Sequence, residues 1–158
     1  LTGNGGFDVN SGTTLSYAGI IAGAGVLQKT GAGTLVLTGT NTFTGGVNLF
    51  EGSITINAAA QLGAAGSVLN FNNGAKLITT ANLTSSGANT LAGNGEFVPA
   101  TGTILIVSGA TSGVGALTMS GAGTLVLSGT VKTYRYLDED EEAVEMPVEG
   151  TTTEGGAQ

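Results

Sequence analysis

The sequence repeats itself at an offset of 90 residues. The heptamer at residues 31–37 recurs without a change at residues 121–127. Aligned at that offset without gaps, residues 1–40 and 91–130 are identical at 21 of 40 positions. A register of this length is not a chance match between glycine-rich segments. Such a repeat is typical of a solenoid, which stacks similar coils, whereas the architecture of a β-sandwich does not require a long internal repeat.

Short apolar runs separated by glycine fill the repeat. Leu35 and Leu37 alternate with Thr34, Val36 and Thr38, and this period of two is typical of strands. The one weak hint of a helix lies near residues 58–61. The body is therefore predicted to be an all-β solenoid, with about three to four coils per 90-residue period if a coil takes about 20–30 residues. Strands are predicted at residues 13–17, 25–28, 34–38, 47–50, 53–57, 67–71, 76–79, 90–92, 103–107, 116–119 and 124–128.

Charge divides the chain into two parts. The net charge is −7, but residues 1–130 hold only two Lys against Asp8, Glu51 and Glu96, whereas residues 131–158 hold eight of the eleven acids. The 90-residue register also stops at residue 131. We therefore predict a solenoid at residues 1–130 and a non-repeat acidic tail at residues 131–158, extended and strand-like at first and then irregular.

The residue types present exclude several functions. The chain has no Cys and no His, which removes zinc-finger ligands, disulfides and Cys–His or Ser–His nucleophiles. Four basic residues are too few for a nucleic-acid site, which neutralises phosphates with clustered Lys and Arg. The longest apolar run, residues 17–27, is shorter than the roughly 20 residues of a membrane-spanning helix.

The few carboxylates of the body do not follow the repeat. A glycosidase needs two carboxylates about 5 to 9.5 Å apart. Asp8 aligns with Val98 in the second copy, and Glu96 aligns with Gly6 in the first, so neither acid recurs. We interpret Asp8, Glu51 and Glu96 as surface acids, and we predict a chain that is not an enzyme and has no cofactor.

The tail carries the candidate contact residues. Residues 131–137 alternate as a strand with two tyrosines on one face, and five consecutive carboxylates follow. Acidic runs of this kind are usually solvated linkers, but this one is also suited to cap its own solenoid, to contact a neighbouring molecule, or to bind calcium weakly outside the cell. The predicted partner contacts are Tyr134, Tyr136, Asp138, Glu139, Asp140, Glu141 and Glu142.

Residues 23–46 resemble the autotransporter-associated β-strand repeat, also called the passenger-associated transport repeat. The pattern K-x-G-x-G-x-L-x-L-x-G-x-N-x-[YF]-x-G-G is filled throughout. In the second copy, Met119 replaces the Lys and the Asn-x-Phe-x-Gly-Gly half is lost. The resemblance implies a right-handed parallel β-helix, displayed on or released from a Gram-negative cell. The matching residues are Lys29, Gly31, Gly33, Leu35, Leu37, Gly39, Asn41, Phe43, Gly45 and Gly46.

Three functions follow from these observations. The first is a non-catalytic structural or adhesive β-solenoid of an autotransporter-like surface protein, with a host or cell-surface ligand as partner. The second is a self-assembling extracellular fibre subunit, because open strand edges at the solenoid ends template further pairing and the tail could contact a neighbour. The third and most remote is a carbohydrate-active β-helix enzyme.

Overall fold

A computed structural model describes residues 1–135, 144–147 and 152–154. The chain winds through about six coils, which stack as a parallel β-solenoid with three sides. The strands are β1 (Gly5–Asp8), β2 (Thr14–Tyr17), β3 (Leu27–Thr30), β4 (Thr34–Leu37), β5 (Val47–Leu49), β6 (Ser53–Ile56), β7 (Leu69–Phe71), β8 (Ala75–Thr79), β9 (Leu83–Ser85), β10 (Asn89–Leu91), β11 (Gly95–Pro99), β12 (Ile104–Val107), β13 (Thr111–Gly113), β14 (Leu117–Met119), β15 (Thr124–Leu127), β16 (Val131–Arg135), β17 (Val144–Pro147) and β18 (Thr152–Glu154).

Each side of the solenoid is one sheet. Sheet A joins β1, β3, β5, β7, β10, β13 and β16 in parallel and ends on β17, and sheet B runs from β2 through β4, β6, β8 and β11 to β14. Within the part of the chain that the structure describes, sheet C consists of β9, β12, β15 and β18. The first three coils have no strand on side C, and a single 3-10 turn, Ala59–Leu62, takes that place in the third coil.

The predicted all-β, parallel solenoid is confirmed, and the eleven predicted strands coincide with observed ones to within a few residues. The weak helical hint near residues 58–61 corresponds to the 3-10 turn. The sequence does not predict β1, β9 and β13, which are short and rich in Gly, Ser or Thr, nor β11, which contains Glu96 and Pro99, two residue types that are rare in strands. β16 lies beyond residue 130 and still pairs in parallel with β13, while the boundary at residue 130 stays a prediction.

Longer and shorter coils alternate along sheet A. Gly5 pairs with Leu27, Leu27 with Val47, and Val47 with Leu69, and the same alternation continues to β16. Four coils therefore run from Gly5 to Asn89, which is less than one full repeat, and the remainder of the repeat carries the chain onto the next side. The estimate of three to four coils per repeat is therefore corrected: one repeat comprises four complete coils and the step from one side of the solenoid to the next.

Apolar side chains stack in columns inside the solenoid. One column on sheet B is formed by residues that pair in register, and its members from the second to the fifth coil are completely buried. Stacked inward residues of this kind remove apolar surface from water, which is the main stabilising contribution to a solenoid. The column comprises Leu15, Leu35, Ile54, Leu77, Phe97 and Met119.

Close coil stacking requires glycine at some corners. Gly87, Gly109 and Gly129 lie above one another, and a Cβ atom on Gly109 would clash with the backbone oxygen of Gly87. Such a clash with backbone cannot be relieved by turning a side chain. This column therefore sets how closely the later coils approach one another.

Among the described residues, no helix is long and apolar enough to cross a membrane.

Candidate functional surfaces

Lys29 lies inside the solenoid, although it is charged. It occupies an inward position of β3, between Phe7 and Leu49 of the adjacent coils, and it is completely buried. Its Nζ donates hydrogen bonds to the carbonyl oxygens of Thr30 at 2.8 Å, Gly31 at 2.6 Å and Glu51 at 3.3 Å. The side chain thus ties the corner after β3 to the corner of the next coil.

Burial and nearby carboxylates oppose each other at this corner. Burial lowers the pKa of Lys29, because desolvation penalises the ammonium, while the charges of Asp8 and Glu51 act to raise it and only partly offset the effect. Three carbonyl acceptors are the environment that a buried ammonium requires. The sequence pattern placed Lys29 in the repeat but gave no sign of its burial, apart from its alternation with Gln28 and Thr30.

The body's three carboxylates lie at two separate places. Asp8 and Glu51 come from the first and third coils on either side of Lys29, whereas Glu96 lies on the outer face of sheet B. Lys76 Nζ contacts Glu96 Oε2 at 2.7 Å. Burial acts to raise the pKa of Glu96, but hydrogen bonds from Lys76 and Ser120, with the Lys76 charge, lower it overall. Within the described residues, no group of three His, Cys, Asp or Glu side chains is arranged to hold a metal ion.

The outer face of sheet A carries a column of uncharged polar side chains, which we call the amide strip. Its members pair in register along five successive coils, and all are half-buried. Lys132 of β16 follows them in the same register. The amide strip comprises Gln28, Asn48, Asn70, Thr90 and Ser112.

The first coil leaves apolar side chains exposed. Ile20 is 70% exposed and Leu15 is 40% exposed. Beside them, Phe7 and Tyr17 pack with ring centroids 5.1 Å apart and line a cavity of about 290 Å³. Strands β1 and β2 are the first members of their sheets, so one backbone edge of each is without a strand partner among the described residues.

The last coil differs from the first. β17 pairs antiparallel with β16, and β18 pairs antiparallel with β15, so that two segments of the tail lie along the end of the solenoid. Of the predicted contact residues, Tyr134 lies within β16, whereas Tyr136 and residues 138–142 lie outside the described residues. The predicted contact set therefore stays a prediction.

Comparison with known proteins gives two matches. The family model of the passenger-associated transport repeat matches residues 27–59 and 117–135. An adhesin autotransporter, BmaC, from Brucella suis biovar 1 (strain 1330), is 46% identical over 111 residues. That alignment covers 66% of this chain and 3% of the relative, so the chain spans a small part of the length of the curated protein that it resembles. No solved structure matches.

The matches agree with the geometry. The first matched segment contains Lys29 and the corner that it stabilises, and the second ends in β16. The repeat and the autotransporter relative place the chain outside the cell or at the surface of a Gram-negative bacterium. The chain therefore contains the passenger-associated transport repeat of bacterial autotransporters.

Proposed function

We propose that the chain is a non-catalytic, adhesive β-solenoid segment of a surface-displayed passenger. The observation that carries this proposal is the stacked solenoid itself, which contains the passenger repeat and resembles part of an adhesin. A solenoid presents long, regular outer faces, and such extended faces are suited to binding. The placement of the carboxylates supports a non-catalytic role. Two of them flank a buried lysine, and the third is paired with Lys76.

Surface display tests the adhesive function. The full chain is fused to an unrelated outer-membrane anchor in a non-adherent bacterium, and attachment to epithelial monolayers is counted. We expect attachment well above that of cells that display the anchor alone. The matched control displays Gly109→Ala, which we expect to disturb the stacking of the coils without changing surface charge. Equal attachment by all three strains would contradict the proposal.

Turnover assays test the non-catalytic part. The purified chain is incubated with a panel of acidic and neutral polysaccharides, and reducing ends and unsaturated products are measured. We expect no product above the blank. Turnover that Glu51→Gln or Glu96→Gln abolishes would favour the carbohydrate-active enzyme instead.

A self-assembling fibre subunit is the second candidate, because the coils of a parallel solenoid stack edge to edge. Among the described residues, Leu15 and Ile20 are exposed and β1 and β2 each have one edge without a strand partner, so further coils of the same chain or of another molecule would stack there. The antiparallel strands β17 and β18 stand against simple head-to-tail stacking, because they occupy the edges of β16 and β15 at the other end.

Electron microscopy separates the two candidates. The adhesive segment predicts discrete short rods, whereas a fibre subunit predicts continuous filaments. Deleting residues 131–158 tests the tail as a connector, because filaments that persist without it cannot depend on it. Discrete rods at all concentrations would eliminate the fibre.

A further inference from the structure

The amide strip has hydrogen-bonding capacity that the described residues do not use. Asn70 Nδ2 donates to Asn48 Oδ1 at 2.7 Å, which leaves the Asn48 amide nitrogen and the Asn70 oxygen available. Elsewhere in the strip, the side chains of Gln28, Thr90 and Ser112 make no hydrogen bond to any residue that the structure describes. Donors and acceptors are therefore offered together, coil after coil, on a half-buried surface.

The spacing of these groups is fixed by the fold. Neighbouring strands of a sheet lie about 4.8 Å apart, so the five side chains recur at that interval along the solenoid axis. Because the strands are paired on both edges, the backbone that carries these side chains is already ordered, which reduces the entropic cost of association. A ligand that matches the strip must be extended and must present polar groups at a similar interval.

An aromatic side chain lies beside the strip. Phe50 is half-buried, and its backbone nitrogen donates to the oxygen of Lys29, which places Phe50 next to Thr30 on the side of sheet A. An aromatic ring next to amide groups offers an apolar face and hydrogen bonds to one ligand. This combination suits a sugar ring, which has an apolar face and a polar rim of hydroxyl groups.

Charge and backbone pairing exclude other ligand classes. From the second to the sixth coil, the five members of the strip are uncharged, so an anionic polymer gains no ion pair from them. An apolar partner would leave the amides desolvated and unpaired. An extended peptide would add to a strand edge, but the strands beneath the strip are paired on both edges within sheet A.

We propose that the outer face of sheet A binds a linear, neutral polysaccharide that runs along the solenoid axis over the amide strip. The hydroxyl groups of the polysaccharide exchange hydrogen bonds with Gln28, Asn70 and Thr90, and one of its sugar rings packs against Phe50. This inference rests on the proposed adhesive function and names the ligand class of that function.

Direct binding tests the proposal. The purified full chain is titrated with cellohexaose and chitohexaose, and with their dimers, by isothermal titration calorimetry. We expect the hexamers to bind more tightly than the dimers, because a longer ligand contacts more coils. The absence of binding to both hexamers would overturn the proposal, as would equal or tighter binding of a heparin hexasaccharide.

Paired variants locate the site. Gln28→Ala and Thr90→Ala each remove one unused hydrogen-bonding group, and each should weaken hexamer binding about two- to tenfold. Thr55→Ala on the outer face of sheet B is the matched control, because Thr55 is also a half-buried hydroxyl residue on an outer face, and it should leave binding unchanged. Equal losses in Thr55→Ala and Thr90→Ala, with unchanged melting temperatures, would contradict the assignment.

Attachment assays separate this inference from the function beneath it. The displayed chain is tested on epithelial cells before and after enzymatic removal of surface glycans, and in the presence of the better hexamer. Attachment that survives both treatments keeps the adhesive function but overturns the polysaccharide ligand. Oligosaccharide binding without attachment to any cell keeps the ligand class but overturns the proposed function.

Discussion

The two copies of the repeat build the same turn on different sides of the solenoid. In the first copy, the backbone nitrogen and hydroxyl of Thr13 both donate to the Asn10 oxygen, and in the second, Thr103 makes the same two bonds to Ala100. The repeated heptamer contains β4 of sheet B in the first copy, at residues 31–37. In the second copy, at residues 121–127, it contains β15 of sheet C. Local sequence sets the turn, whereas position along the solenoid sets the side.

Equivalent positions therefore meet different neighbours. Lys29 of the first copy is buried against three carbonyl oxygens, while its counterpart Met119 lies half-exposed in the last strand of sheet B. A Cβ atom on Gly19 would meet the movable side chain of Tyr17, but one on its counterpart Gly109 would meet the backbone of Gly87. The difference shows that stacking, rather than the repeat itself, decides what each residue does.

The largest difference between the copies is expected at these glycines. Gly109→Ala should destabilise the fold by about 3 kcal/mol, because the new methyl group meets fixed backbone. Gly19→Ala should cost less than about 1 kcal/mol, since Tyr17 can turn away. Urea unfolding followed by circular dichroism measures both. Equal losses at the two positions would show that the coils do not stack as described.

Lys29→Met converts the first copy into the second at one position. The carbonyl oxygens of Gly31 and Glu51 would lose their hydrogen-bond donor, so we expect a loss of about 2 kcal/mol in the free energy of unfolding. Met119→Leu keeps the volume of a residue without such contacts and should cost less than about 1.5 kcal/mol. A variant Lys29→Met as stable as the parent would contradict the role of the ammonium.

The shared turn predicts equal effects in the two copies. Gly12 and Gly102 have φ angles of 74° and 75°, in the left-handed region, and nothing lies within 4 Å of a Cβ built on either. Gly12→Ala and Gly102→Ala should each cost about 1 kcal/mol through backbone strain alone. Thermal unfolding of the two variants measures this. A clear difference in stability between them would mean that the turns are not equivalent.

The smallest expected difference is a pH effect confined to the second copy. The pKa of Glu96 in the folded chain lies below its ordinary value of 4.5. The contribution of Glu96 to the free energy of unfolding is therefore present above pH 4.5, and it is lost as the pH falls through the folded pKa. Glu96→Gln should remove this part of the acid destabilisation. Gly6, the counterpart in the first copy, has no carboxylate. Unfolding profiles between pH 7 and 3 that coincide for parent and Glu96→Gln would contradict this assignment.

The sequence predicts the strands better than it predicts how they stack. Alternation around Leu35 and Ile54 identifies β4 and β6, because inward and outward positions differ in polarity along each strand. The alternating coil lengths depend on corners of glycine and alanine, whose sequences permit turns of several lengths. The 90-residue repeat therefore indicates a solenoid without giving the number of coils.

The candidate sites depend on contacts between coils, which a sequence pattern does not show. Lys29 receives one of its three carbonyl partners from Glu51, which belongs to the next coil. The amide strip is invisible at the 90-residue offset, because Gln28, Asn48 and Asn70 are brought together by the shorter coil register. The acidic tail residues are predicted as partner contacts from their charge alone, because the sequence does not show what surrounds them.

A cysteine cross-link between neighbouring coils directly measures the coil register. The natural chain has no cysteine, so an introduced pair supplies the only thiols. Gln28 and Asn48 are paired across one of the shorter coils, and neighbouring Cα atoms there are close enough for a disulfide. If the 90-residue repeat instead held four whole coils, a coil would average between 22 and 23 residues, and a coil of 22 residues would place Gln28 beside Phe50.

The measurement is the fraction of each double-cysteine variant that oxidises under mild conditions, determined by mass spectrometry. With the register described above, we expect rapid, nearly complete cross-linking in Gln28→Cys with Asn48→Cys and little in Gln28→Cys with Phe50→Cys. The opposite result would show that the two copies of the repeat lie on the same side of the solenoid, and would contradict the offset of four coils and one side.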